Sequence, residues 1–153
     1  MPYDRAAPED KTWFKPWRGG LTALWLEELT LDAVLDALRR RHTYATTGEK
    51  LLLLLEVNGH LFEPEVEADG PVEVRVRLGG AAPVRRLEIY RNAEVCHVAE
   101  GLGETFDYTW QDDEPARSTC YFARVTQQDD QIAWSAVTRV RFNHERHEEH
   151  EDD

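Results

Sequence analysis

The chain has 153 residues, enough for one domain with a sizeable core and not comfortably two. Thirty acidic against eighteen basic residues leave a formal net charge of −12. That argues against nucleic acid or an anionic membrane as the main partner, because both recruit basic surface.

Residues 1–20 predict an irregular arm, punctuated by Pro2, Pro8, Pro16, Gly19 and Gly20. The arm carries Trp13, Phe14 and Trp17, with Trp25 soon after. Large aromatic side chains are expensive to leave in water, so this cluster is expected to cover something or be covered. The first thirty residues contain no apolar h-region, so no signal peptide is expected and the cytoplasm is the expected location.

Residues 21–48 predict an entry turn at Gly19-Gly20-Leu21-Thr22, one amphipathic helix and a tight exit. Thr30 suits the N-cap, Asp32 the first turn, and Arg39, Arg40 and Arg41 the last. Leu31, Val34, Leu35 and Leu38 recur at i, i+3, i+4 and i+7 and form one apolar stripe. Thr43 to Thr47 is poor helix and good extended chain. Gly48 is placed to take a turn conformation that a side chain would resist.

From residue 49 to 142 the period changes to two. Leu51, Leu53, Leu55 and Val57 form one face of a strand, while Leu52 and Leu54 lie on the other. A strand apolar on both faces is expected to be covered on both. Asn58-Gly59 marks a turn. Val72, Val74, Val76 and Leu78 alternate with charged residues, as a half-buried strand does. Leu87 and Ile89 lead into an Asn92-Ala93 hairpin and the return from Val95. Phe106, Tyr108 and Trp110 alternate with polar residues. Tyr121, Ala123 and Val125 continue the pattern. Ile132, Trp134, Ala136, Val140 and Phe142 mark a last inward row, with Ser135 and Arg139 facing out. About seven strands with polar turns predict a mainly β fold: a seven-stranded antiparallel β-sandwich of the immunoglobulin or fibronectin III kind, preceded by one α-helix and the arm. Tyr121, at the start of a penultimate strand, suits a tyrosine corner. Residues 143–153 hold six acids, one arginine and three histidines, and predict a disordered tail dispensable for folding.

The segment from GGLT through EELT and ALRRRHTYATTG, followed by a leucine-rich strand and Val57-Asn58-Gly59, resembles the C-terminal junction of PHP-type metal-dependent phosphoesterases and hydrolases, in the large uncharacterised branch of that superfamily. The segments EIYRNAEV, YFARVTQ and IAWS are similar to strands of the sandwich that follows the catalytic barrel there. The likeness spans roughly residues 18–142 and is most specific at 41–59. It implies that the helix borders a barrel and that the metal ligands lie upstream of the GGLT turn. No histidine precedes His42 in this chain, and Glu9 and Asp10 sit in no ligand motif. No catalytic or cofactor-binding residue is therefore assigned, and no cofactor is expected in this chain. His42 stands where the resemblance implies arginine. It is expected to be a helix C-terminal or surface residue.

Other chemistry is sparse. His144, His147 and His150 are spaced three apart and could chelate a transition metal if helical, against the plainer reading of a charged, unstructured tract. His60 and His97 are expected at the surface. Cys96 and Cys120 fit two small packing residues in a reducing compartment better than a disulfide. Thr46, Thr47 and Gly48 fit local turn chemistry better than an anion site.

The sequence thus favours a non-catalytic accessory region lacking the metal-binding barrel of the proteins it resembles. A stand-alone fibronectin-like module binding protein or carbohydrate is the alternative, and a metal-handling protein using the His-rich tail a third. The expected interaction surface comprises Trp13, Trp17, Trp25, Leu52 and Leu54. Its expected partner is a second copy or a separately encoded catalytic barrel, with the helix stripe covering part of the face that carries Leu52 and Leu54.

Overall fold

The computed structural model describes residues 19–143. Trp13, Phe14 and Trp17 of the arm and His144, His147 and His150 of the tail lie outside the described residues. What is described is mainly β, two open sheets facing each other with one helix at the side.

Among the described residues the first element is not a turn but strand β1 (Leu21–Leu24), which pairs antiparallel with β2 (Thr43–Thr46). Between them lies α1 (Leu31–Arg39). Thr30 caps it as expected: its backbone is extended, and its hydroxyl accepts the Ala33 N–H at 3.2 Å. The C-terminus closes in a Schellman motif. His42 N–H donates to Ala37 O at 2.9 Å and Arg41 N–H to Leu38 O at 3.3 Å, with Arg41 rather than glycine at φ 59°. Gly48, at φ 118°, makes the exit turn.

The first sheet joins β8 (Glu94–Leu102), β7 (Val84–Arg91) and β10 (Ser118–Gln127). On its far side β10 meets two partners. Its second half pairs with β11 (Ile132–Ser135), which leads on to β2 and β1. Its first half pairs with β12 (Thr138–Phe142), which runs parallel to β5 (Glu65–Ala68). The second sheet has the order β4 (His60–Leu61), β3 (Leu52–Val57), β6 (Val72–Gly79), β9 (Thr105–Asp112). Seven of these strands have five residues or more: β3, β6, β7, β8, β9, β10 and β12. Because β2 pairs with β11, the segment 21–48 and the sandwich share one sheet.

The core lies between the sheets. Leu53, Leu55 and Val57 of β3 and Val72, Val74, Val76 and Leu78 of β6 face Leu87, Ile89, Tyr121, Ala123, Val125, Ala133 and Val140. The period-two readings of β3, β6, β7 and β10 therefore hold. The last strand differs. It breaks at Ala136-Val137 into β11 and β12, and β11 buries Ala133 while Ile132 and Trp134 are only half-buried. A one-residue change of phase moves every side chain to the other face, and the break is where the phase changes. Ser135 does not simply face out: its Oγ accepts Ala123 N–H at 2.9 Å and donates to Ala136 O at 2.9 Å.

The helix stripe also behaves differently from expectation. The main neighbour of α1 is β1, and only Ala37 of the helix is buried. Leu31, Leu35 and Leu38 are exposed, so the stripe covers neither Leu52 nor Leu54.

Candidate functional site

Two internal polar clusters hold the sandwich together. Tyr121, fully buried, donates its hydroxyl to Asp112 Oδ2 at 2.7 Å. Arg91 Nη1 donates to both Asp112 oxygens at 3.0 and 2.9 Å and to Glu114 O at 3.1 Å. Burial, and then the Asp112 carboxylate, push the Tyr121 phenol up. The hydrogen bonds to Asp112 raise Arg91 above its ordinary value. All polar positions here are matched, as a structural network requires. Tyr121 thus ties the fold to a carboxylate at the end of β9, where a tyrosine corner would use a backbone group.

The second cluster is His97. It is not a lone surface residue but half-buried, with Nε2 2.7 Å from Tyr108 Oη and its ring stacked near Tyr108 and Trp110. It joins β8 of one sheet to β9 of the other. Burial lowers its pKa. His60 is exposed, as expected. The His42 ring lies 5.7 Å from Phe62, tilted by 37°, and Phe62 itself lies 5.2 Å from Trp25. Cys96 and Cys120 are both free thiols, and burial pushes the Cys96 thiol up. The Thr46-Thr47-Gly48 turn is only partly local: Thr46 Oγ1 donates to Glu49 O and accepts Gly48 N–H, but Thr47 reaches across to Gln131 and Ile132. Among the described residues no group of three or more His, Cys, Asp or Glu could hold a metal ion.

What the structure leaves open is apolar. Leu52 is exposed and Leu54 half-buried on the outer face of β3. With Leu78, Gly79 and Phe106 they line a shallow groove of about 470 Å³ rimmed by Arg77 and Asp107. A second groove of about 460 Å³ adjoins it through Leu52 and Gly79 and extends to Leu21, Ala23 and Lys50. The remainder of that outer face is polar, with a charged cluster at its centre. Arg75 forks onto Asp107, donating from Nε at 2.7 Å. Glu56 lies 2.8 Å from Arg77 Nη2, an ion pair off the hydrogen-bond axis, and 3.6 Å from Arg75. Arg75 and Asp107 hold each other ionised, which raises the one pKa and lowers the other.

Trp25 sits elsewhere. Its neighbour Phe62 follows β4, which pairs with Glu56 and Val57 at the far end of β3 from Leu52. Of the anticipated surface, the described residues are thus split: Leu52 and Leu54 line the groove, and Trp25 lies apart from them beside Phe62. The exposed stripe of α1 is a second apolar patch. Sequence reasoning did not identify Leu21, Phe106 or the open helix face. The amphipathic spacing marks a stripe, but it does not say whether that stripe is covered.

Residues 4–76 match the family model described as a protein of unknown function, DUF3604. An uncharacterised protein of Chlamydia pneumoniae is 30% identical over 142 residues, covering 81% of this chain and 23% of that protein. An uncharacterised protein of Chlamydia trachomatis is 28% identical, covering 92% of this chain and 25% of its own length. The chain therefore spans about a quarter of the curated relatives it matches. A lytic polysaccharide monooxygenase of Jonesia denitrificans superposes with a TM-score of 0.42 at 13% identity, over 53% of this chain and 59% of its own. At that distance the superposition carries no argument. The family match has a structural correlate. Eight of the ten exposed large apolar side chains among the described residues fall within residues 4–76, less than half of the chain.

Proposed function

We propose that this chain is a non-catalytic accessory region, corresponding to the C-terminal part of proteins that resemble PHP-type metal-dependent phosphoesterases. In this reading it acts by seating a catalytic portion that lies elsewhere, on the same polypeptide or a separate one. The observation that carries it is the open groove at Leu52, Leu54 and Phe106, on a strand whose two faces are both leucine-rich. An apolar groove rimmed by polar side chains is a form that interaction surfaces take. The relatives have about three times as much further chain with which to cover it. No metal and no cofactor belongs to this region in the proposal, and neither nucleic acid nor membrane is its partner. Among the described residues no helix is long and apolar enough to cross a membrane. The reading includes a reducing, cytoplasmic compartment, in keeping with two free thiols.

Two measurements test it together. The purified chain, given Mn²⁺ or Zn²⁺ and a chromogenic phosphodiester, should show no turnover. Turnover proportional to protein and surviving repurification would overturn the reading. Mixed with the non-aligned portion of the Chlamydia pneumoniae relative, the chain should form a complex in the micromolar range. Leu52→Glu combined with Leu54→Glu should weaken that complex tenfold or more; equal binding by the variant would remove the groove from the proposal.

A further inference from the structure

The second patch has a different character. Along α1 the stripe of Leu31, Leu35 and Leu38 faces solvent, at 72, 37 and 49% exposure. Beside it, on one flank, stand Asp32 and Arg39, seven residues and so roughly two turns apart. Arg40 is occupied by Asp36 of its own helix at 3.0 Å. Asp32 and Arg39 have no ion-pair partner among the described residues.

We propose that this face of α1 binds α1 of a second copy, antiparallel, about a two-fold axis passing near Leu35. A two-fold perpendicular to the helix brings the same flank of both helices together and reverses their direction. Asp32 of one copy then meets Arg39 of the other, and Arg39 meets Asp32, while the leucines fill the seam. A parallel pair would bring opposite flanks together and leave Asp32 and Arg39 of both copies unmatched. The antiparallel pair also opposes the two helix dipoles. The charge order on the flank is therefore complementary to itself in one orientation only, which singles out a second copy as the occupant. The contact stands independently of the groove at Leu52, at the other end of β3.

Sedimentation of the full chain in 150 mM salt, where the net negative charge is screened beyond about 8 Å, tests this. The expected result is a monomer–dimer equilibrium in the range of tens of micromolar. Leu35→Glu should abolish it while circular dichroism stays that of the folded chain, and Leu31→Glu, at the most exposed position of the stripe, should weaken it with the melting temperature unchanged. Asp32→Asn and Arg39→Gln should each weaken it several-fold. A Leu35→Cys variant should cross-link to itself under mild oxidation, and Leu52→Cys should not. A strict monomer at high micromolar concentration would overturn the proposal. So would a dimer indifferent to Leu35→Glu, or preferential cross-linking through Leu52→Cys.

Discussion

The Tyr121 hydroxyl and the Asp112 carboxylate meet at 2.7 Å inside the sandwich, one from β10 and the other from the last position of β9. The bond links the two sheets, and Arg91 supplies the countercharge. Tyr121→Phe keeps the ring and removes the donor, leaving a buried carboxylate short of one partner. It should cost about 1–3 kcal/mol in urea unfolding at pH 7. The pH dependence has a definite sign. The folded-state pKa of Tyr121 is raised, so its contribution is present below the unfolded value of about 10 and is lost as pH rises through the folded one. Wild type should therefore lose stability above about pH 10 more steeply than Tyr121→Phe.

Leu52 and Leu53 are adjacent in sequence and opposite in environment. Leu53 is 1% exposed and Leu52 is 40% exposed. Leu53→Ala opens a cavity in the core and should cost about 2–5 kcal/mol. Leu52→Ala, measured at low micromolar concentration, should stay within about 0.5 kcal/mol of wild type. Equal effects would mean that β3 is covered on both faces.

His97 is kept neutral by burial between the sheets, so its pKa is lowered in the fold. The unfolded chain then binds a proton that the folded chain resists, and stability falls as pH drops below about 6.5. His97→Gln keeps a polar end near Tyr108 but cannot titrate. Between pH 7.5 and 5.5 its unfolding free energy should change less than that of wild type. Parallel slopes for the two proteins would remove His97 from the account.

Gly80 has no room for a side chain. A Cβ there would lie 2.7 Å from Gln127 Oε1 and 3.0 Å from the Glu104 carbonyl oxygen. Gln127 is fully buried, and its Oε1 accepts the N–H groups of Ala81 and Ala82 at 3.2 Å each. Gly80→Ala must displace a buried hydrogen-bonded side chain or a backbone carbonyl of the β8–β9 turn. A loss of about 1–3 kcal/mol is expected by chemical denaturation.

Much of the fold is legible in the sequence because its signals are local. Alternation in β6 and β10 settles which side chains meet the core, since the strand period is two. Thr30 marks the helix start through a bond to a backbone group three residues on. Asn58-Gly59 marks a two-residue turn between Val57 and His60. Other features are decided only in three dimensions. Leu21–Leu24 is too short and plain to announce a strand; β2 makes it one. The break at Ala136-Val137 follows from β10 passing from one partner strand to another. His97 looks isolated along the chain and finds Tyr108 and Trp110 only when the edges of two sheets approach. The stripe of α1 shows the same limit. Spacing determined that the helix has an apolar face, but whether that face is covered depends on what lies across from it. Periodicity reports the direction of a side chain, and tertiary structure alone supplies its neighbour.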